Sequence, residues 1–440
     1  MSPPVPREPY RQDLSGILED AAGRGGLPAG DFAIWTARTQ PALARLRQHY
    51  AEATLALLRL PEETGDLDAM DMLAGHLSKD ASDVVVLGIG GSSLGAKALA
   101  QVAFDATPAH SRAPGRPRVH FFENLDPFTF ERALAGLDLR TTRFLLVSKS
   151  GGTAEPLVQA LAARRAIEEA GGAKYLASHF AAITEPTDNP VRRLAQSMGA
   201  PVIDHHTGVG GRYSCLTNVG LVPAILMGLD PRAVRRGASE ALAPVLAGSD
   251  PQTVPPAAGA AMQVALAREK DARASVIIAY SDRLERFGLW YRQLWAESLG
   301  KAGQGTLPAT GTGPVDQHSQ LQLYLAGPAD KAYTVMHVAS ADRGPRVTSD
   351  DPALGYLDGR TMGDLLDAEY RATVETLKAN GRPVRTMELP VLDERAMGAL
   401  MMHFMLETVI AADLMGVDPY DQPAVEEGKM LAREYLGRMR

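Results

Sequence analysis

Four side chains far apart in the sequence are of the types that carry out proton transfer: Arg212, Glu297, His318 and Lys429. A carboxylate or an imidazole can move a proton, and a guanidinium can stabilise a developing oxyanion with its forked donors. Structural roles are the alternatives, such as a salt bridge for Arg212 or Glu297 and a snorkelling stem for Lys429. Brought to one site, the four would suit proton transfer next to a carbonyl group of a substrate.

The segment 283–301 is predicted to be a helix that carries Glu297. Phe287, Trp290, Leu294 and Glu297 follow one another at intervals of three or four residues and therefore share one face. A carboxyl group removed from water has a raised pKa, which suits a general base working near neutral pH. An ion pair with a nearby arginine is the structural alternative.

Two glycine- and hydroxyl-rich turns, each between a predicted strand and a predicted helix, indicate an anion site. The first is GIGGSSLG at 88–95 and the second is SKSGGT at 148–153. Backbone N–H groups, hydroxyls and the helix dipole at such turns favour a bound phosphate, whereas helix capping is the alternative. The first turn has Ser93 where G-x-G-x-x-G needs its third glycine, and no G-x-x-x-x-G-K-[ST] loop is present. We therefore expect a single phosphate and not a nucleotide.

Composition indicates an ordinary globular protein. The 440 residues are 45% hydrophobic and 22% charged, with a net charge of −7 that argues against a nucleic-acid-binding surface. The single cysteine, Cys215, is expected in the core and fits a reducing compartment. No apolar run has the length of a membrane span, and the segment MSPPVPREPYRQ lacks a signal-peptide core. We expect a cytoplasmic protein without nucleic-acid or membrane partners.

Metal chemistry is not expected. The ten histidines form neither H-x-H nor H-E-x-x-H, and the adjacent His205 and His206 have no obvious carboxylate partner motif. A hydride-shift isomerase would need a divalent metal, so the residues favour an enediolate mechanism without metal or cofactor.

The elements that must position these residues alternate between short apolar strands and helices, which predicts an α/β fold. We expect two doubly wound, mainly parallel sheets in tandem, with ligands at the carboxyl ends of the strands. Residues 106–118 are expected to form a loop because of their Pro and Gly content. The predicted divisions are a helical segment at 1–80, α/β domains at 81–229 and 230–418, and a C-terminal helix at 419–440.

Six segments then occur in one order between Gly88 and Lys429: GIGGSSLG, SKSGGTAE, VGGRYS, ESLGK, QHS and DQPAVEEGK. In this order they resemble the landmarks of the phosphoglucose isomerase family, which is built from tandem sugar-isomerase domains. The resemblance implies interconversion of glucose 6-phosphate and fructose 6-phosphate by ring opening and a cis-enediolate.

The resemblance also implies residue roles. Glu297 would shuttle the proton between C1 and C2, and Arg212 with Gly211 would face the enediolate. His318 and Lys429 would open the ring, Gln422 would contact the substrate, and His318 would reach the neighbouring subunit's site in a homodimer. The implied phosphate contacts are Ser92, Ser148, Lys149 through its backbone, Ser150 and Thr153.

Three positions depart from the family pattern: Leu299 replaces an asparagine, Gly152 a hydroxyl residue, and Thr310 the tryptophan of a Trp-Gly pair. They leave the named catalytic positions intact and bear on substrate preference, so a dual glucose and mannose 6-phosphate isomerase is one alternative. A non-catalytic sugar-phosphate sensor of the same fold is an alternative of a different class. A sensor of that kind would normally carry a helix-turn-helix and a basic patch, and the sequence contains neither.

Overall fold

The computed structural model describes residues 8–103 and 115–439, so positions 106–114 of the predicted loop lie outside the described residues. The strands are β1 (Arg11–Asp13), β2 (Asp83–Leu87), β3 (Arg118–Phe122), β4 (Thr142–Val147), β5 (Phe180–Thr184), β6 (Val202–Asp204), β7 (Ala274–Tyr280), β8 (Leu307–Thr312), β9 (Lys331–Val338) and β10 (Val384–Leu389).

The helices occupy both faces of the sheets and the segments between them. They are α1 (Glu19–Ala22), α2 (Ala29–Ala37), α3 (Gln40–Ala51), α4 (Leu67–Ser78), α5 (Leu94–Ala103), α6 (Pro127–Ala135), α7 (Ala154–Glu169), α8 (Leu176–His179), α9 (Pro190–Ser197), α10 (Asn218–Leu226), α11 (Pro231–Leu246), α12 (Pro255–Glu269), α13 (Glu285–Leu299), α14 (Leu321–Ala326), α15 (Met362–Ala379), α16 (Glu394–Met415) and α17 (Glu426–Arg438).

The first sheet has the order β3-β2-β4-β5-β6, and all of its pairs are parallel. Every residue of β2 and β4 is buried. Strands that are covered by helices on both faces have nearly continuous apolar sequences, which is why these strands could be predicted. Because β2 and β4 are parallel neighbours, the two glycine-rich turns that follow them lie at the same edge of the sheet.

The second sheet has the order β1-β10-β9-β7-β8 and is parallel except for β1, which pairs antiparallel with β10. The wholly helical reading of residues 1–80 was therefore wrong at β1. Strand β8 was also missed, because Pro308 and Gly311 give it the composition of a loop. Both are edge strands, where three residues suffice or a proline is tolerated.

A buried polar network fixes β1 against the second sheet. The Tyr10 hydroxyl donates to His403 Nδ1 at 2.8 Å, and His403 Nε2 donates to Glu407 Oε2 at 2.9 Å. Arg385 Nη1 donates to the same carboxylate oxygen at 2.5 Å. Burial raises the pKa of the Tyr10 phenol, so its hydroxyl stays protonated and available as a donor.

Helix α16 is the central core helix. By length and apolar composition it is the one helix among residues 8–103 and 115–439 that could cross a membrane, but 83% of its most apolar window is buried inside the protein. It packs against α11, α12 and α13, whose apolar faces account for its composition. Beyond α16, residues 421–439 are all exposed, so none of the described residues covers the apolar face of α17.

Candidate active site

The first glycine-rich turn packs directly against the turn that carries Arg212. Gly90 has a φ of +58°, which favours glycine. A Cβ atom added at Gly91 would lie 2.2 Å from the carbonyl carbon of Gly211, so only glycine permits this approach. Ser214 Oγ donates to the Gly91 carbonyl at 3.2 Å across the same contact. The Ser92 hydroxyl makes no hydrogen bond with a described residue.

The second glycine-rich turn presents unused donors at the start of α7. Ser148 Oγ donates to Thr153 Oγ1 at 3.1 Å, and Ser150 is exposed. Thr153 occupies the N-cap position, yet its side chain makes no capping bond. The backbone N–H groups of Lys149, Ser150 and Thr153 donate to no residue that the structure describes. These donors can therefore receive an anion, as the sequence predicts.

The side chain of Lys149 points to the next strand's end. Its Nζ lies 3.7 Å from Glu185 Oε1, and its carbonyl accepts from the Glu185 N–H at 3.1 Å. Glu185 follows β5, the neighbour of β4.

Arg212 is not a surface residue: its side chain is 3% exposed, and it makes five hydrogen bonds. A guanidinium has five N–H donors, so all of them are used. The acceptors come from the end of α13 and from the segment after α16. They are Ser298 Oγ (2.8 Å), Glu297 Oε2 (3.2 Å), Gln422 Oε1 (2.7 Å), the Pro419 carbonyl (2.6 Å) and the Asp421 carbonyl (2.9 Å).

Glu297 stands at the open end of a buried helix face. Phe287, Trp290 and Leu294 are fully buried, as their spacing predicts, whereas the Glu297 side chain remains 33% exposed. Its Oε2 accepts from Arg212, so the ion pair that the sequence analysis left as an alternative is present. The carboxylate is therefore oriented by a cation and is still open to a ligand.

Gln293 belongs to the same cluster, although the sequence analysis did not single it out. Its Nε2 donates to Glu297 Oε1 at 3.1 Å, and a Cβ added at Gly90 would lie 3.0 Å from that nitrogen. Gln293 thus links the first glycine-rich turn to Glu297. The i, i+4 spacing from Glu297 was the available signal, but polar pairs at that spacing are common on helix surfaces.

The structure does not bring His318 and Lys429 into contact with Arg212 or Glu297. His318 ends a short turn after β8, is exposed, and makes no hydrogen bond or ion pair with any described residue. Lys429 Nζ is 2.7 Å from Glu426 Oε1 within exposed α17. The snorkelling alternative for Lys429 is thus not realised on this chain. Gly211 and Gln422, in contrast, lie within the Arg212 cluster.

Cys215 and His205, which the sequence analysis also names, are both buried. Burial raises the pKa of the Cys215 thiol to about 12, so the thiol stays protonated and unreactive, as expected for a core residue. Burial lowers the pKa of His205 to about 4, so its imidazole is neutral at physiological pH. Within the described ranges, no group of three His, Cys, Asp or Glu side chains could hold a metal ion.

The departures Leu299 and Thr310 both lie on α13 or against it. Leu299 is fully buried at the end of the helix. Thr310 on β8 faces Gly288, where an added Cβ would lie 2.9 Å from Thr310 Cγ2. Gly288, Thr310 and Asp316 line a cavity of about 180 Å³.

Comparison with known proteins points to one family. The family model described as phosphoglucose isomerase matches residues 56–318. A glucose-6-phosphate isomerase of Rubrobacter xylanophilus is 36% identical over 97% of this chain and 98% of that protein. A glucose-6-phosphate isomerase of Thermus thermophilus is 35% identical over 87% of this chain and 90% of its own.

Solved structures agree in fold. The crystal structure of a hypothetical protein from Thermus thermophilus has a TM-score of 0.82 and 31% identity, over 97% of this chain and 99% of that one. A glucose-6-phosphate isomerase from Chlamydia trachomatis has a TM-score of 0.70 over 92% of this chain and 78% of its own, at 24% identity. The second likeness supports the fold alone.

Proposed function

The chain belongs to the phosphoglucose isomerase family, and we infer that it interconverts glucose 6-phosphate and fructose 6-phosphate. The reaction places it in glycolysis and gluconeogenesis. The observation that carries this inference is the contact of Arg212 with both Glu297 and Gln422, beside two turns rich in unused N–H donors. We also propose a cytoplasmic enzyme, in keeping with its single, buried cysteine.

We propose that Glu297 moves the proton between C1 and C2 of the open-chain sugar. Arg212 stabilises the negative charge that develops on the adjacent oxygen. Because all five Arg212 donors are used, the substrate oxygen must replace Glu297 or Gln422 at Nη1.

The proposed phosphate site lies at the carboxyl ends of β2 and β4 in the first sheet. The N–H groups of Lys149, Ser150 and Thr153 are available there, as are the hydroxyls of Ser92, Ser150 and Thr153. Ser148 supports the site through its bond to Thr153. Charge-assisted bonds from several oriented N–H groups are a usual way to hold one phosphate at a helix N-terminus.

Ring opening is assigned to His318 and Lys429, with His318 supplied to the neighbouring subunit of a homodimer. The exposure of His318 supports this assignment, as does its lack of partners among the described residues. Val315 and Leu323, on either side of it, are 67% and 52% exposed, an apolar surface that a second copy could cover. A two-fold dimer would then contain two composite sites.

A coupled assay tests the function directly. Purified protein is offered glucose 6-phosphate, mannose 6-phosphate and fructose 6-phosphate in separate reactions. We expect turnover of the glucose and fructose esters. Turnover of mannose 6-phosphate at a comparable rate would identify a dual isomerase, and binding of all three without turnover would contradict the enzyme assignment.

A further inference from the structure

A short segment after α16 connects the proposed active site to the exposed C-terminal helix. Helix α16 ends at Met415 and is capped by Gly416, which has a φ of +71°, and the chain then passes Arg212 before α17 begins. Within this segment, here called the connector and defined as Asp418–Gln422, Gln422 contacts Arg212. Any displacement of the connector would therefore move Gln422 and the start of the helix that bears Lys429.

Arg212 and Tyr213 form hydrogen bonds with the main chain of the connector. Arg212 Nη2 donates to the carbonyls of Pro419 and Asp421, and the Tyr213 hydroxyl donates to the Pro419 carbonyl at 3.2 Å. Bonds to carbonyl oxygens fix the backbone itself, whatever the side chains do. Pro419 is buried, as is Arg212.

Lys301 contacts the connector through its ammonium group. Its Nζ lies 2.8 Å from Asp421 Oδ1 and also donates to the Asp418 carbonyl. The Lys301 side chain is only 15% exposed, although Asp421 is more than half exposed. An exposed ion pair contributes little by itself, but a largely buried ammonium that also donates to a carbonyl has a defined position. Lys301 follows Glu297 by four residues, so the proposed base and this contact share one helix end.

We propose that Lys301 is a positioning residue that sets the connector, and through it Gln422 and α17, relative to Glu297. It would not contact the substrate. The kinetic part of this inference rests on the proposed isomerase function, whereas the structural part does not. The ESLGK segment would then have two separate uses, Glu297 for the proton and Lys301 for placing the C-terminal groups.

The test compares three variants of the full chain with a matched control. Lys301→Met removes the ammonium and keeps the apolar stem, Lys301→Arg keeps a cation, and Asp421→Asn removes only the side-chain partner. Lys331→Met is the control, because Lys331 is 13% exposed and pairs with Asp330 at the start of β9, and neither residue belongs to the connector. Steady-state kinetics, thermal unfolding and hydrogen exchange of the peptide covering 418–431 are measured for each.

For Lys301→Met we expect kcat to fall roughly 10- to 100-fold, the scale of a misplaced reacting group, with KM nearly unchanged. Exchange at 418–431 should accelerate, while the melting temperature should change no more than in Lys331→Met. Lys301→Arg should recover most of kcat, and Asp421→Asn should lose less because the Asp418 carbonyl contact remains.

Unchanged exchange at 418–431 in Lys301→Met would overturn the proposal, as would an equal loss of kcat in Lys331→Met. If the wild-type protein shows no isomerase activity, the proposed function fails, but the exchange measurement still decides whether Lys301 sets the connector. If activity is present and exchange accelerates without loss of kcat, the connector is set by Lys301 but does not position the reacting groups, which also contradicts the proposal.

Discussion

The proposed catalytic side chains divide into an anchored pair and an exposed pair. Arg212 and Glu297 contact each other, and Arg212 is held by five hydrogen bonds in the protein interior. His318 and Lys429 lie on the surface, and neither contacts the anchored pair. The first pair belongs to a site that a single chain assembles, whereas the second pair needs either a neighbouring chain or a movement of α17.

The difference follows from the elements that carry each pair. Glu297 is on α13, whose apolar face packs against the core. Arg212 follows Gly211 in a turn that packs closely against Gly91. Electrostatic stabilisation depends on groups that are already oriented before the reaction, and these two are. His318 follows edge strand β8, and Lys429 is on a helix that is exposed along its whole length among the residues the structure describes.

The largest expected effect is at the anchored pair. Glu297→Gln keeps an oxygen that can accept from Arg212, so substrate binding should persist, but the amide cannot take a proton. We expect kcat to fall by roughly 10²–10⁴ or more, the usual contribution of a general base. Exchange of the C2 proton of the sugar with solvent, followed by NMR in D₂O, should disappear as well. Near-normal exchange would mean that another residue is the base.

A smaller effect is expected at the phosphate site, which holds the substrate alike in the ground and transition states. Ser150→Ala and Thr153→Ala should each raise KM, with a loss of about 1.5–3 kcal/mol per charge-assisted hydrogen bond and little change in kcat. Ser197→Ala, at an exposed serine bonded to the Leu194 carbonyl in α9, serves as the control. A collapse of kcat at constant KM would assign these residues to the chemistry and not to anchoring.

The smallest effect is expected from metal removal. The proposed mechanism uses only protein acids and bases, so prolonged dialysis against EDTA should leave turnover unchanged. Activity is measured before and after dialysis, and again after addition of Zn²⁺ or Mn²⁺. Loss of turnover that either metal restores would contradict the enediolate mechanism.

The sequence predicted features that depend on local pattern. The buried strands β2 and β4 were predicted from their apolar runs, and the face of α13 from its helical spacing. Both sheets are mainly parallel, as predicted. Edge strands β1 and β8 were not predicted, because an edge strand needs neither length nor a continuous apolar run.

The residues of the site could be predicted only where they belong to a sequence motif. Arg212, Glu297 and Gln422 are 85 to 210 positions apart, and no spacing rule indicates that they touch. Gln293 and Lys301 have types and positions that any solvated helix shows, and their contacts depend on how distant segments pack. The exposure of Lys429 could not be predicted either. An amphipathic sequence indicates that the apolar face of a helix will be covered, but it does not identify the element or the chain that covers it.

The contrast between the two pairs is tested most directly by mixing subunits. Inactive His318→Ala and Glu297→Gln chains are combined in equal amounts under conditions in which subunit exchange is verified. If His318 serves the neighbouring site, one site of each mixed dimer has both groups intact. Random reassembly makes about half of the dimers mixed, so about a quarter of wild-type activity should return by symmetry. Verified exchange without any recovery would show that both groups act within one chain and would contradict the account.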